Sequence, residues 1–462
     1  MAVTKAVSPK DIKFHDGPFL LPKGLTLEKA IEALNVLRKY NDETVIIRET
    51  LPVFVWDGAL ALQKALIERY GMALQKTEEI ETFFGKMRIP PKQISVEVSP
   101  TETTIVPWGQ FSLPGIDGSI SVSVDAKKGK RWLFRVEAEV RHKDEEVIYS
   151  LIERVREIAL AESIYRGKAI SIRFKADNGV EINTPMPGFL RLADSPVIFS
   201  KSLEEDIERN IFMHIRYPEM IRACHTPIKR GVLLAGPYGT GKTLTANWIA
   251  QEATRNGWTF IYITEIKELP DALRFAQGFQ PAIVFGEDIE RIAGLDRTDE
   301  VNELLNILDG IGSKRDEIIT ILTSNHPENI NEAMRRPGRI DVFLSIEPPD
   351  PEAAIRMIRH YAGDSLIDPS GLENAGLALA GSIPAVIREA VELSKLEALR
   401  RTQGTCPDIT GYDVAKSANS LIRARNAFSV KPVIYEHPAK TFIEAIGKET
   451  RRVIHEEASL NQ

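Results

Sequence analysis

The stretch that most constrains this chain is Gly236-Pro237-Tyr238-Gly239-Thr240-Gly241-Lys242-Thr243. Before it stands Gly231-Val-Leu-Leu-Ala235, a short apolar run that reads as a buried strand. After it, Leu244–Ala253 carries apolar residues at helical spacing. A GxxxxGK[ST] pattern has physical meaning only in that setting, where a strand feeds a glycine loop that opens a helix. The glycines let the backbone turn tightly and aim its N–H groups inward, and the helix adds its positive N-terminal end. Lys242 is then placed to reach β- and γ-phosphates, and the Thr243 hydroxyl to join a Mg²⁺ shell. The stretch from Gly236 to Leu244 therefore reads as a nucleotide-phosphate site.

A chain of 462 residues has room for several domains and more than one core. Its 43% apolar and 27% charged residues are those of an ordinary soluble protein. No apolar run approaches bilayer length, and Met-Ala-Val-Thr-Lys-Ala-Val-Ser lacks the apolar core of a signal peptide. The expectation is a cytoplasmic protein with no membrane contact. Cys224 and Cys406 are the two cysteines, too few for a disulfide framework. A net charge of −6 gives no bulk attraction for nucleic acid.

Residues 1–24 read as an extended or partly disordered arm, Leu25–Tyr40 and Gly58–Tyr70 as helices, and Val45–Ile47 as a short strand. From Ile94 the period becomes two. Ile94, Val96 and Val98, then Ile120, Val122 and Val124, then Phe134, Val136, Ala138 and Val140 alternate with polar residues. Asp144–Ala161 has a helical stripe, and Ala169–Phe174 with Val180–Ile182 reads as a hairpin turned by Asp177-Asn-Gly179. Lys127–Arg131 is a basic cluster, read as a solvated hairpin tip or a contact for nucleic acid or an acidic partner. The expected organisation is an N-terminal region (1–93), an α+β accessory domain (94–194), an α/β domain (195–349), a helical lid (350–425) and a tail (426–462) with one helix near Thr441–Glu456. In the lid, Asp350 is the expected cap and Pro351 the first residue of its opening helix. The fold class is α/β, a P-loop NTPase parallel sheet flanked by helices, preceded by the accessory region and followed by the lid.

Past the glycine loop, the strand ends carry the chemistry. Ala282–Phe285 leads into Gly286-Glu287-Asp288-Ile289-Glu290. Carboxylates at the C-terminal end of a buried strand beside a phosphate loop are where Mg²⁺ and the attacking water are handled. Ile318–Leu322 ends in Thr323-Ser324-Asn325, a polar tip suited to orienting a water. Met334-Arg335-Arg336-Pro337-Gly338-Arg339-Ile340-Asp341 sets three arginines around a Pro-Gly turn. It reads either as a solvated basic turn or as guanidinium groups presented to a phosphate of a neighbouring subunit.

Taken together, these motifs resemble the AAA ATPase family over about Pro196 to Arg425. The resemblance implies ATP/ADP and Mg²⁺ as ligands, ATP hydrolysis, and a homo-oligomeric ring, typically a hexamer, that remodels another macromolecule. Carried over residue by residue, Asn325 matches the sensor asparagine, Arg336 and Arg339 the trans-acting arginine fingers, and Asp309-Gly310 the segment that signals between subunits. Gly381-Ser382 matches the small-residue sensor of the lid, with Ser382 also expected to cap the helix running to Arg401. The usual acidic order, Asp then Glu, is reversed here. By position Glu287 falls with Thr243 on the Mg²⁺ side and Asp288 on the water side, one methylene shorter, so hydrolysis can be slow. Thr264–Asp271 is short and has no aromatic, unlike the pore loop of threading members. That segment and Ser324-Asn325-His326 resemble the branch that translocates the folded Rieske protein in mitochondria. His326 reads as a helper of the sensor or as a satisfied polar residue at a strand end.

Two functions follow. One is a ring ATPase that remodels a client held by its N-terminal half, a protein rather than nucleic acid, without threading it. The alternative is a nucleotide-gated assembly scaffold with negligible turnover.

Overall fold

In the computed structural model the described residues are 26–82, 85–125, 132–174, 185–194, 196–292, 299–310, 316–336, 338–404 and 407–429. The N-terminal arm, Lys127–Arg131, the Asp177-Asn-Gly179 turn with Val180–Ile182, Cys406 and the tail helix at 441–456 lie outside them. The chain divides into two compact units, Met1–Val197 with Lys201–Ile346, and Ile198–Ser200 with Glu347–Gln462.

Among the described residues, the N-terminal part of the first unit is built on nine strands: β1 (Thr44–Phe54), β2 (Leu74–Gln75), β3 (Glu78–Thr82), β4 (Gly85–Ile89), β5 (Lys92–Ser99), β6 (Glu102–Trp108), β7 (Gln110–Ser112), β8 (Ser119–Asp125) and β9 (Leu133–Arg141). An antiparallel five-stranded sheet runs β1-β9-β8-β7-β2, while β3-β4 and β5-β6 pair as separate hairpins. Phe134, Val136, Ala138 and Val140 of β9 are fully buried, as their period requires. The helices Val55–Tyr70 and Glu145–Ala161 pack against each other and against β1 and β9. On the opposite face of β9, Arg135 pairs with Asp125, and Glu137 with Arg48. Strand β1 is far longer than the expected Val45–Ile47, because Leu51, Val53 and Phe54 also reach the core. The next helix opens at Val55, not Gly58. It has no side-chain cap, and burial of Val55, Trp56 and Asp57 sets its start.

The second sheet has seven strands in the order β11-β10-β13-β14-β15-β12-β16. These are β10 (Ala169–Ile172), β11 (Gly188–Phe189), β12 (Arg230–Ala235), β13 (Thr259–Ile263), β14 (Ala282–Gly286), β15 (Ile318–Ser324) and β16 (Val342–Ser345). All pairs are parallel except β10–β11. The expected hairpin at Ala169–Phe174 is corrected here. Ala169–Ile172 runs parallel to Phe260–Ile263, with Ile170 and Ile172 buried, and so extends the phosphate-loop sheet. Its short apolar run is that of a strand covered on both faces, which parallel sheets require. Main-chain pairing therefore crosses both 93/94, through β1 and β2, and 194/195, through β10.

The second unit is helical: Pro351–Ala362, Leu372–Leu379, Pro384–Arg401 and Gly411–Ser429 enclose Ala354, Ile358, Leu379, Ile387, Val391 and Val414. Asp350 caps the first of these, accepting from the Ala353 N–H at 2.7 Å, with Pro351 in the first turn. Ser382 does not cap the third. Pro384 occupies the first turn and forces the residue before it to be extended, so Ile383 is the cap position and Ser382 falls one residue too early. Among the described residues no helix is long and apolar enough to cross a membrane.

Candidate nucleotide site

The sheet order puts β12 beside β15, with β14 next, so the C-terminal ends of these three parallel strands share one edge. That edge carries the glycine loop, Glu287 with Asp288, and Asn325. Gly236 lies so close to Ile346 that a Cβ would sit 2.1 Å from its carbonyl oxygen, and Gly239 and Gly241 hold φ of +80° and +108°. The helix Lys242–Arg255 starts directly from Gly241. Lys242 is buried, and its Nζ donates to the carbonyls of Gly236 (2.6 Å) and Pro237 (2.7 Å). Burial lowers its pKa, against the opposing charges of Asp288, Glu290 and Glu287. The Thr240 hydroxyl closes the loop on the Pro237 carbonyl at 2.9 Å. Tyr238 is exposed, with its ring 6.0 Å from Lys242 Nζ and edge-on to His326. A pocket of about 330 Å³ opens here, lined by Gly236, Pro237, Tyr238, Asn325 and His326. Leu244 is partly exposed on the first turn of the helix.

Thr243 Oγ1 donates to Glu287 Oε1 at 2.5 Å, so the hydroxyl and the first acid share one spot. Among the described residues no cluster of three His, Cys, Asp or Glu could hold a metal. A hydroxyl and one carboxylate nevertheless fit Mg²⁺, which takes hard oxygens and completes its octahedron with phosphates and water. Tyr262 on β13 stacks on Phe285, 6.0 Å away. Its phenol is pushed up to about 12, first by burial and then by the charge of Glu287 and a hydrogen bond to it.

Asp288 has left-handed backbone angles (φ 55°, ψ 53°), and its N–H donates to Thr323 Oγ1 at 3.2 Å. Its Oδ1 accepts from Asn325 Nδ2 at 2.8 Å and its Oδ2 from Arg291 Nη2 at 2.6 Å. The Asn325 N–H donates to Glu290 Oε1 at 3.1 Å, while Glu290 Oε2 is buried without a hydrogen bond. Neither Glu290 nor Arg291 was singled out from sequence. The only signal was a third acid in Glu287-Asp288-Ile289-Glu290.

The arginine turn is tied elsewhere. Asp341 accepts from the Gly338 N–H (2.7 Å) and the Gly231 N–H (3.3 Å), which anchors the turn at the start of β12. Five residues of strand, about 16 Å, separate Gly231 from Gly236 at the phosphate loop. Arg336 is exposed, whereas Arg339 is partly buried and donates to the Ala333 carbonyl at 2.7 Å. Asp309 and Gly310 end the helix Asp299–Gly310.

A glycine loop between strand and helix, at the C-terminal edge of a parallel sheet and flanked by acids and an asparagine, defines a P-loop nucleoside-triphosphatase fold. Within that class, residues 232–348 match the model of the ATPase family associated with various cellular activities (AAA). It is 31% identical over 231 residues to the cell division cycle protein 48 homolog of Archaeoglobus fulgidus, covering 45% of this chain and 30% of that protein. It is 30% identical over 215 residues to the ATPase family gene 2 protein of Schizosaccharomyces pombe (43% and 26%). It is 30% identical over 220 residues to the ATP-dependent zinc metalloprotease FtsH of Helicobacter pylori (43% and 34%). The chain thus spans about a third or less of the length of these curated relatives.

Proposed function

We propose that this protein binds and hydrolyses ATP in a homo-oligomeric ring, as a hexamer, and uses the cycle to remodel a macromolecular client, a protein rather than nucleic acid. The observation that carries this reading is the convergence of Lys242, the Thr243–Glu287 pair and the Asp288–Asn325 pair on one sheet edge. Residues Gly236 to Leu244 hold the phosphates, with Lys242 turning from the loop carbonyls to the β- and γ-phosphates. Thr243 and Glu287 would hold Mg²⁺, which neutralises phosphate charge when bound. Asp288 orients and deprotonates the attacking water, and Asn325 keeps Asp288 in place. Arg336 and Arg339 act on the site of the next subunit. Their anchoring at the far end of β12 supports that assignment, because a guanidinium there is distant from its own phosphate loop.

Client handling without threading has support in the segment after β13. Ile266 and Glu268 are buried, and Glu268 Oε2 accepts from the Phe174 N–H at 2.8 Å. Arg173 reaches Thr264 Oγ1 at 3.3 Å. A segment anchored this way lacks free reach into a central channel. The loop near Gly294–Asp299 lies largely outside the described residues. The scaffold alternative is favoured by one observation, that both Asp288 oxygens already accept hydrogen bonds.

Steady-state phosphate release separates the two readings. Turnover should vanish in Lys242→Ala and in Asp288→Asn, with ATP binding weakened only in the first. Mixing Arg339→Ala with Lys242→Ala chains should restore part of it, since a finger in trans is worth about 10³–10⁵ in rate. A wild-type chain that binds ATP without releasing phosphate would leave the scaffold.

A further inference from the structure

Asp288 is held at its backbone and at both carboxylate oxygens. Thr323 Oγ1 accepts from its N–H, its own carbonyl accepts from the Arg291 N–H at 3.0 Å, and its backbone is left-handed. The carboxylate can therefore reorient only through its side-chain torsions, and it is one methylene shorter than glutamate. Asn325 holds one oxygen from the sheet side. Arg291, on the turn Ile289–Arg291, holds the other. A guanidinium on Oδ2 draws the carboxylate toward the exit turn and competes for the lone pairs that a water proton must find.

We propose that Arg291 is a positioning residue that restrains Asp288 and limits turnover. This rests on Asp288 being the residue that takes the water proton. The restraint is light. The Arg291 side chain is 71% exposed and that of Asp288 27%, and pairs so open to water bias a side chain without locking it. An interaction of that strength corresponds to a rate change of up to about fivefold. The same exposure means that Arg291 can be replaced without disturbing the core.

The test uses the full chain with Arg291→Ala and Arg291→Lys, each also combined with Asp288→Asn. We expect Arg291→Ala to raise kcat about two- to fivefold, with KM and equilibrium ATP affinity unchanged, and Arg291→Lys to return it toward wild type. In the Asp288→Asn background, where turnover is already lost, Arg291→Ala should restore none, while ATP affinity stays at the wild-type value. A kcat at or below wild type in Arg291→Ala, or a gain that survives Asp288→Asn, overturns the restraint and leaves ATP hydrolysis standing. Absence of phosphate release from the wild-type chain overturns the hydrolysis reading itself, and the restraint with it.

Discussion

Asp57 offers the sharpest test of how the N-terminal part is joined to the phosphate-loop sheet. Its carboxylate is 5% exposed and accepts from the Ile164 N–H and the Ser163 hydroxyl, both at 2.8 Å. Those residues lead into Arg166, whose guanidinium donates to the carbonyls of Gln280 and Gly278, and then into β10. Burial pushes the Asp57 carboxyl up to about 7, against the lowering pull of its hydrogen bonds and of Arg166. A carboxyl that titrates higher in the fold than in the unfolded chain binds its proton more tightly when folded. Its ionisation therefore leaves the fold unpenalised below pH about 4 and removes stability as pH rises through about 7. Three pH units at 1.36 kcal/mol each amount to about 4 kcal/mol. Asparagine keeps the shape, accepts from Ile164 and donates to Ser163, and never ionises. Urea unfolding of wild type and Asp57→Asn, followed by tryptophan fluorescence between pH 4 and pH 8, reads the difference. Asp57→Asn should gain on wild type by up to about 4 kcal/mol across that window. A stability difference that does not change with pH would refute the reasoning, because it would mean that Asp57 titrates alike in both states.

Three further outcomes are expected. Lys242→Ala should weaken ATP binding by 10-fold or more, about 1.5–3 kcal/mol for a lost charge-assisted bond, measured by equilibrium titration. Tyr262→Phe removes the phenol that bonds Glu287, and the Mg²⁺ concentration that half-saturates nucleotide binding should rise about tenfold, as for other supports of a metal ligand. Glu268→Ala strands the Phe174 N–H and should lower stability by about 1–3 kcal/mol in denaturant melts, whereas Glu268→Gln should restore most of it.

The placement of the glycine loop was legible because it is local. The loop from Gly236 to Thr243 needs only its own glycines, a strand before and a helix after, and all three were readable as short runs of sequence. The alternation of β8 and β9 and the Asp350-Pro351 helix start are likewise written within a few residues. Where a neighbour far along the chain decides, the sequence was silent. Ala169–Ile172 carries no mark of its partner some ninety residues later, and only that pairing tells a strand of the phosphate-loop sheet from half of a hairpin. Glu290 and Arg291 look like ordinary surface charges until the left-handed turn at Asp288 points them at Asn325 and at the acid itself. Side-chain type and spacing thus determined which groups gather at the glycine loop and the strand ends beside it. Which carboxylate is held, by what, and which segments are joined to the phosphate-loop sheet came from strand order and backbone angles, since both depend on contacts that no local window contains.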